Sequence, residues 1–304
     1  MRVVALAGGT GSAKLLRGLS ALGVNLTVVA NIGDNVWMHG LYVCPDLDIA
    51  MYTLAGLADK RQGWGIKGDT FRTLAQLGRI GEPTWFALGD LDIATQIVRT
   101  RLLREGLTLT SVTEKLRRAF QIAQTILPLT DDPIETRVLT PVGYAHLQEF
   151  WVRDRGRPVV RGVAYKGAPR ARCTRDVEDA VKKADRIILC PANPVTSIGP
   201  MLAVPGFSRM LSRTKARVTA LSPMIGKAPF SGPAAKLMKA VGMRPDSVGV
   251  AKMYSEFLDS LIVDRSDADV SVEIEELGIK CILSDTLMRD FPAEERLSKE
   301  LVYA

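Results

Sequence analysis

The segment from Arg2 to Asp34 constrains the fold more tightly than anything after it. An apolar run, Arg2 to Ala7, stops at Gly8-Gly9-Thr10-Gly11. Leu15, Leu16, Leu19 and Leu22 then recur at the spacing of one helix face, and a second apolar run, Leu26 to Ala30, ends at Asn31-Ile32-Gly33-Asp34. Short apolar runs on either side of a 3.6-residue period read as strand, glycine turn, helix, strand. That order opens a parallel α/β sheet.

The same rhythm returns late in the chain. Arg186 to Cys190 ends in Pro191-Ala192-Asn193-Pro194, and Val218 to Leu221 ends in Ser222-Pro223-Met224-Ile225-Gly226-Lys227. Val248 to Ala251, Ser260 to Val263 and Lys280 to Leu283 are weaker strand candidates. Between the two sets, Asp46 to Asp132 is mainly helical in pattern, as in Ile93 to Glu105 and Ser111 to Ile122. Short β-like runs follow at Arg137 to Thr140 and His146 to Val152. The expected organisation is an α/β core from residues 1–44 and 166–304, with 45–165 as an inserted, mainly helical subdomain carrying a β-hairpin. A chain of 304 residues suits one such core with an insertion.

Several function classes lose support from composition. The formal net charge of +7 suits a small polyanionic substrate as well as nucleic acid. No basic patch is interleaved with aromatics in the way single-stranded nucleic acid requires, so a nucleic-acid-binding reading rests on net charge alone. The cysteines, Cys44, Cys173, Cys190 and Cys281, form no C-x-x-C pair, which leaves a zinc site without support. The run Val3 to Ala7 is too short for a secretory signal, and no stretch reaches the ~18 apolar residues of a membrane helix. Reduced thiols in a cytoplasmic protein are expected.

Three loops follow strands and should reach one sheet edge. Gly8 to Lys14 (GGTGSAK) lets the backbone approach an anion at a helix start, although it has neither Walker A nor full dinucleotide-fingerprint spacing. A glycine turn needed only for strand-to-helix geometry is the plainer alternative. Asn193 to Ser197 and Ser222 to Gly226 are stiffened by prolines, with Thr196 and Ser197 placed to cap a helix. Converging loops of this kind favour a ligand crevice. A fourth feature is acidic: Asp34, and Asp46 with Asp48 two residues apart, could share a hard cation such as Mg²⁺. They could equally be the acidic start of a helix beginning near Ile49. The carboxylate pairs at Asp90/Asp92 and Asp131/Asp132 are individually weak, and the histidines, His39 and His146, support no Ser-His-Asp arrangement.

Taken in order, GGTGSAKLLRGL, NIGDN, HGLYVCPDLDIAMYTLAG, RQGWGIKGDTF, WFALGDLDIATQIVRTRLL, LPLTDDPIETRV, HLQEFWVR, CPANPVTSIGPML and SPMIGKAPFSGPAAKLM resemble the 2-phospho-L-lactate transferase family of coenzyme F-420 biosynthesis. The resemblance runs from Met1 to at least Met238, with a late SDTLMRD. It implies a Rossmann-like core with an inserted region, a guanosine-diphospho-activated donor, the deazaflavin Fo as acceptor, dependence on Mg²⁺ and release of GMP. By the same resemblance the donor would lie along Gly8, Gly9, Thr10, Gly11, Ser12 and Lys14, then Asn193, Pro194, Thr196 and Ser197, and then Ser222, Pro223, Ile225 and Gly226. Asp48 would stand at the deazaflavin and metal end, with Asp48 or Asp34 as the catalytic carboxylate and Asp46 and Asp48 as metal ligands. A homodimer is common for such folds. Two segments depart from the family pattern: Leu91 and Gln96 stand where the family has arginine and histidine, and Asn35 where it has aspartate. Loss of a cation and a titratable ring bears on specificity for the acid and on Fo affinity, with Arg99, Arg153 and Lys227 as basic substitutes. A related family of nucleotide-sugar-binding regulatory proteins shares the glycine loop and the late loops; PDLD, the GWG segment and HLQEFWV separate the transferase from it.

Overall fold

The computed structural model describes residues 1–226, 228–229 and 233–304. Seven strands build one sheet: β1 (Arg2–Ala7), β2 (Asn25–Ala30), β3 (Thr125–Pro128), β4 (Arg186–Leu189), β5 (Arg217–Leu221), β6 (Ser260–Asp264) and β7 (Lys280–Ser284). Their order is β7-β6-β5-β4-β1-β2-β3, and every pairing is parallel. Helices cover both faces, which is why these strands read as continuous apolar runs rather than alternating ones. Val3 to Ala7 and Ile187 to Leu189 are buried throughout.

The order reverses beside β1, because β2 pairs on one side and β4 on the other. At such a switch point the loops leaving the two strands part and open a crevice. Helix α1 (Gly9–Ala21) leaves β1 there. It is clamped from behind by the helix Phe291–Tyr303, where Arg17 pairs with Glu294 and the Ser298 hydroxyl donates to the Leu15 carbonyl. Gly18 permits that approach, since a Cβ there would lie 2.3 Å from the Glu294 carbonyl oxygen.

Beyond β2 come a hairpin of Val36–Met38 with Leu41–Val43 and then four helices: α2 (Pro45–Leu54), α3 (Arg72–Arg79), α4 (Asp90–Arg104) and α5 (Leu109–Ala119). A three-stranded antiparallel sheet, Glu135–Thr140 between Gly143–His146 and Gly162–Lys166, follows β3.

Four expectations need correction. Thr125–Pro128 lies within the span taken as an insertion, yet pairs with β2 at the edge of the main sheet. Val248 to Ala251 is not a strand but part of the helix Ser247–Tyr254, whose first turn is capped by Asp246 accepting from the Gly249 N–H at 2.9 Å. A buried four-residue apolar run carries no period that separates the two. The run from His146 to Val152 ends as a strand at His146 and continues as a π-helical turn, Glu149–Arg153. Helix α2 begins at Pro45, not near Ile49, because proline suits the first helical position.

Candidate active site

The crevice at the switch point opens into a cavity of about 410 Å³. Its sheet end is made by Gly8, Gly9, Thr10 and Gly11 after β1, by Asn193, Thr196 and Ser197 after β4, and by Pro223 after β5. Gly8 caps α1 with extended backbone, and Gly9 takes a left-handed φ of +66° that favours glycine. Ser12 pins the turn, its hydroxyl donating to the Gly8 carbonyl at 2.7 Å and accepting from the Gly8 N–H at 3.0 Å. The amides of Thr10 and Gly11 have no intrahelical acceptor, so the wall carries free donors and the positive end of a helix dipole.

After β4 the chain enters a π-helical turn, Pro194–Ile198, capped by Asn193, whose Oδ1 accepts from the N–H groups of Val195 and Thr196 at 2.9 and 3.2 Å. The far end is apolar and aromatic, with Tyr52, Trp64, Phe86 and Trp151 on the wall.

Not every expected contact is brought to the cavity. Ser12 lies behind the turn, and Lys14 Nζ reaches the Met288 carbonyl at 2.9 Å. Pro194 and Ile225 do not line the cavity. The Ser222 hydroxyl bonds that of Ser247 at 2.9 Å, and the Gly226 N–H donates to Asp267 at 2.6 Å. The third loop thus offers Pro223 to the cavity, and Lys227 lies outside the described residues.

Among the described residues four carboxylates line the cavity, Asp34, Asp46, Asp48 and Asp92, and all are buried. Asp46 accepts from the Gly9 N–H at 2.7 Å and from Asn31 Nδ2 at 2.8 Å. Asp34 has a buried Oδ1 with no hydrogen-bond partner. Burial, and then the charge of Asp46, hold its carboxyl well above the usual range. Burial likewise pushes Asp46 up to about 6, against the opposing pull of Asn31 and Gly9.

The pairing of Asp46 with Asp48 as joint metal ligands does not fit this geometry. Two positions apart on a helix, they point about 200° from one another. Both Asp48 oxygens are already engaged: the Arg99 guanidinium grips them in fork fashion, and Gln96 Nε2 donates to Oδ2 at 2.9 Å. Burial is the largest influence on Arg99 and works against its charge, but the charge and hydrogen bonding of Asp48, together with Cys44 and Tyr52, leave its pKa raised. Gln96 also donates to Asp92 Oδ1 at 2.9 Å, and the Tyr52 hydroxyl donates to the same oxygen at 2.6 Å.

Helix α4 therefore faces inward with Asp92, Gln96 and Arg99, while Leu91 and Ile97 are each 52% exposed. Of the two departures in that helix, Gln96 belongs to the buried network and Leu91 lies on the surface. Arg99 is committed to Asp48, and Arg153 to its neighbours Asp154 and Glu149. His146 is structural: its Nδ1 accepts from the Gln148 N–H at 3.1 Å and its Nε2 lies 3.1 Å from the Asn35 carbonyl. Burial lowers its pKa.

Comparison with known proteins bears on this arrangement. The family model described as 2-phospho-L-lactate transferase CofD matches residues 3–287. The chain belongs to the 2-phospho-L-lactate transferase family. It is an enzyme family, and this chain is a transferase of it. A 2-phospho-L-lactate transferase from Methanosarcina acetivorans is 42% identical over 99% of this chain and 98% of its own length. A phosphoenolpyruvate transferase from Streptomyces griseus subsp. griseus is 41% identical over 99% of this chain and 97% of its own. A crystal structure of a upf0052-family protein from Bacillus halodurans shares the fold, with a TM-score of 0.64 at 16% identity over 99% of this chain and 98% of that one.

Proposed function

We propose that the chain transfers a 2-phospho acid (phospholactate, phosphoenolpyruvate or phosphoglycerate) from a guanosine-diphospho-activated donor to the deazaflavin Fo, releasing GMP, in coenzyme F-420 biosynthesis. The observation that carries this reading is a single cavity with a phosphate-suited end, Gly8 to Gly11 and Asn193 to Ser197, and an aromatic end, Tyr52, Trp64, Phe86 and Trp151. The diphosphate lies against the α1 amides, and the flat acceptor ring lies among the aromatics. A regulatory nucleotide-sugar binder has no use for the second end, which the region between β2 and β4 supplies. Work in the cytoplasm belongs to the same reading, supported by four free cysteines and by the lack, among the described residues, of a helix long and apolar enough to cross a membrane. Assembly as a homodimer belongs to it too.

Phosphoryl transfer rests mainly on positioning and charge stabilisation. Asp34 and Asp46 would hold Mg²⁺, and the unpartnered Asp34 oxygen fits that role better than any hydrogen-bonded one. Among the described residues no group of three or more His, Cys, Asp or Glu is placed to hold a metal. A two-carboxylate site suits Mg²⁺, which keeps waters and bridges to substrate phosphates. When bound it would neutralise charge developing on the phosphates.

Incubation with Fo, Mg²⁺ and each guanosine-activated donor in turn should yield the Fo phosphodiester and GMP by mass spectrometry for at least one donor. No product from any of the three would overturn the reading. A second expectation concerns Gly11, where a Cβ would lie 2.4 Å from the Pro191 carbonyl oxygen. Gly11→Ala should force the β1 and β4 loops apart, weakening GDP binding by calorimetry and lowering the melting temperature together. A variant that melts and binds GDP like the wild type would show that the loops need not pack so closely.

A further inference from the structure

We propose that Asp92 is the catalytic residue that takes the proton from the attacking hydroxyl of the acceptor, while Tyr52 and Gln96 position it. This rests on the transferase reading above. Of the cavity carboxylates, Asp48 has both oxygens committed to Arg99 and Gln96, and Asp46 has one bond on each oxygen. Asp34, through its unpartnered Oδ1, is the residue assigned to Mg²⁺ above. Asp92 differs from all three. Its Oδ1 accepts both the Tyr52 hydroxyl and Gln96 Nε2, which leaves Oδ2 without a hydrogen bond on a residue that lines the cavity.

The carboxylate is held for that task. Tyr52 on α2 and Gln96 one turn along α4 fix Oδ1, and the Asp92 N–H is itself held by Asp69 Oδ2 at 3.1 Å. The charged and titratable groups facing it are Asp48 and Tyr52 from α2, Arg99 from its own helix and Asp69 from the preceding segment. Burial, and then the Asp48 charge, push its pKa up to about 6, where a base both stays ionised near neutrality and accepts a proton readily.

In the step itself the acceptor hydroxyl oxygen bonds to the phosphorus bearing the acid. The bond from that phosphorus to the bridging oxygen breaks, its electron pair leaving on GMP. The hydroxyl proton passes to Asp92 Oδ2 and then to solvent.

The test is the pH dependence of kcat for the wild type, Asp92→Asn and Tyr52→Phe with Fo, Mg²⁺ and the preferred donor. Wild-type kcat should fall on the acid side with a midpoint near 6. Asp92→Asn, which keeps an oxygen for Tyr52 and Gln96, should lose about 10²-fold or more in kcat with little change in KM, and should lose the acid limb. Tyr52→Phe should move the limb to higher pH, because the phenol favours the ionised carboxylate. An acid limb that survives in Asp92→Asn, or stays in place in Tyr52→Phe, overturns the assignment while leaving the transferase intact. A wild type inactive with every donor overturns the functional reading, and Asp92 with it.

Discussion

Replacing Arg99 with leucine is expected to lower the unfolding free energy by about 3–5 kcal/mol, the range for removing one partner of a buried ion pair. Arg99 is fully enclosed, and its guanidinium meets both oxygens of Asp48, one of them at 3.1 Å. Without it Asp48 would remain a buried carboxylate with only Gln96 as donor. Urea denaturation of the ligand-free protein measures the loss. The double variant Arg99→Leu, Asp48→Asn should recover a large part of it, since no uncompensated charge is left. A single-variant loss under about 1 kcal/mol would mean that water reaches the pair as it does at a surface. Asp48→Asn alone strands the arginine in turn, so a fall in its activity would not by itself assign Asp48 to the chemistry.

Asp34→Asn should act in the opposite sense on stability while abolishing most turnover. Its carboxyl is raised by burial and by Asp46 against the weaker opposing pull of Asn31 and Thr136, and its Oδ1 has no hydrogen-bond partner. A raised carboxyl favours folding in its protonated form, so that contribution is present at low pH and lost as pH rises through the carboxylate range. The variant carries no such loss. Its melting temperature should match the wild type near the ordinary carboxylate pKa and exceed it increasingly towards neutrality. Turnover with Mg²⁺ should fall by about 10²-fold or more, as when a preorganised electrostatic contribution is removed. A variant less stable than the wild type at neutral pH would show that Asp34 has a partner when ionised, and near-native turnover would remove it from the site. Stability given up for function at a strained position is common in enzymes.

The strands flanking the switch point were legible because each is a short apolar run stopped by glycine or proline, and so were the loops after them. Thr125–Pro128 was not: four residues ending in proline, at a sheet edge, offer no pattern against the helical text around them. The carboxylates were found by type but paired wrongly. A two-residue spacing brings side chains together on an extended loop and sets them apart on a helix, and Pro45 puts Asp46 and Asp48 on the helix. The network on α4 left a trace: Asp92, Gln96 and Arg99 recur at helical spacing with apolar Ile93, Ile97 and Val98 between them. Ordinary amphipathic reading assigns the polar stripe to solvent. Here the stripe instead turns inward and bonds Asp48 and Tyr52 of α2.

The clamp behind α1 sets when the site can form during folding. The glycine turn is encoded at residues 8–11, but the helix that presents it is seated by Arg17 on Glu294, 277 residues away along the chain. β1 likewise waits for β4, as Val3 pairs with Arg186. Contacts of such long separation require loop closure before they return any stabilisation, which makes them slow. During synthesis the glycine turn would emerge early and stay unfinished until the helix Phe291–Tyr303 docks behind it. A nascent chain halted short of that helix should carry the whole glycine loop and still fail to hold a nucleotide.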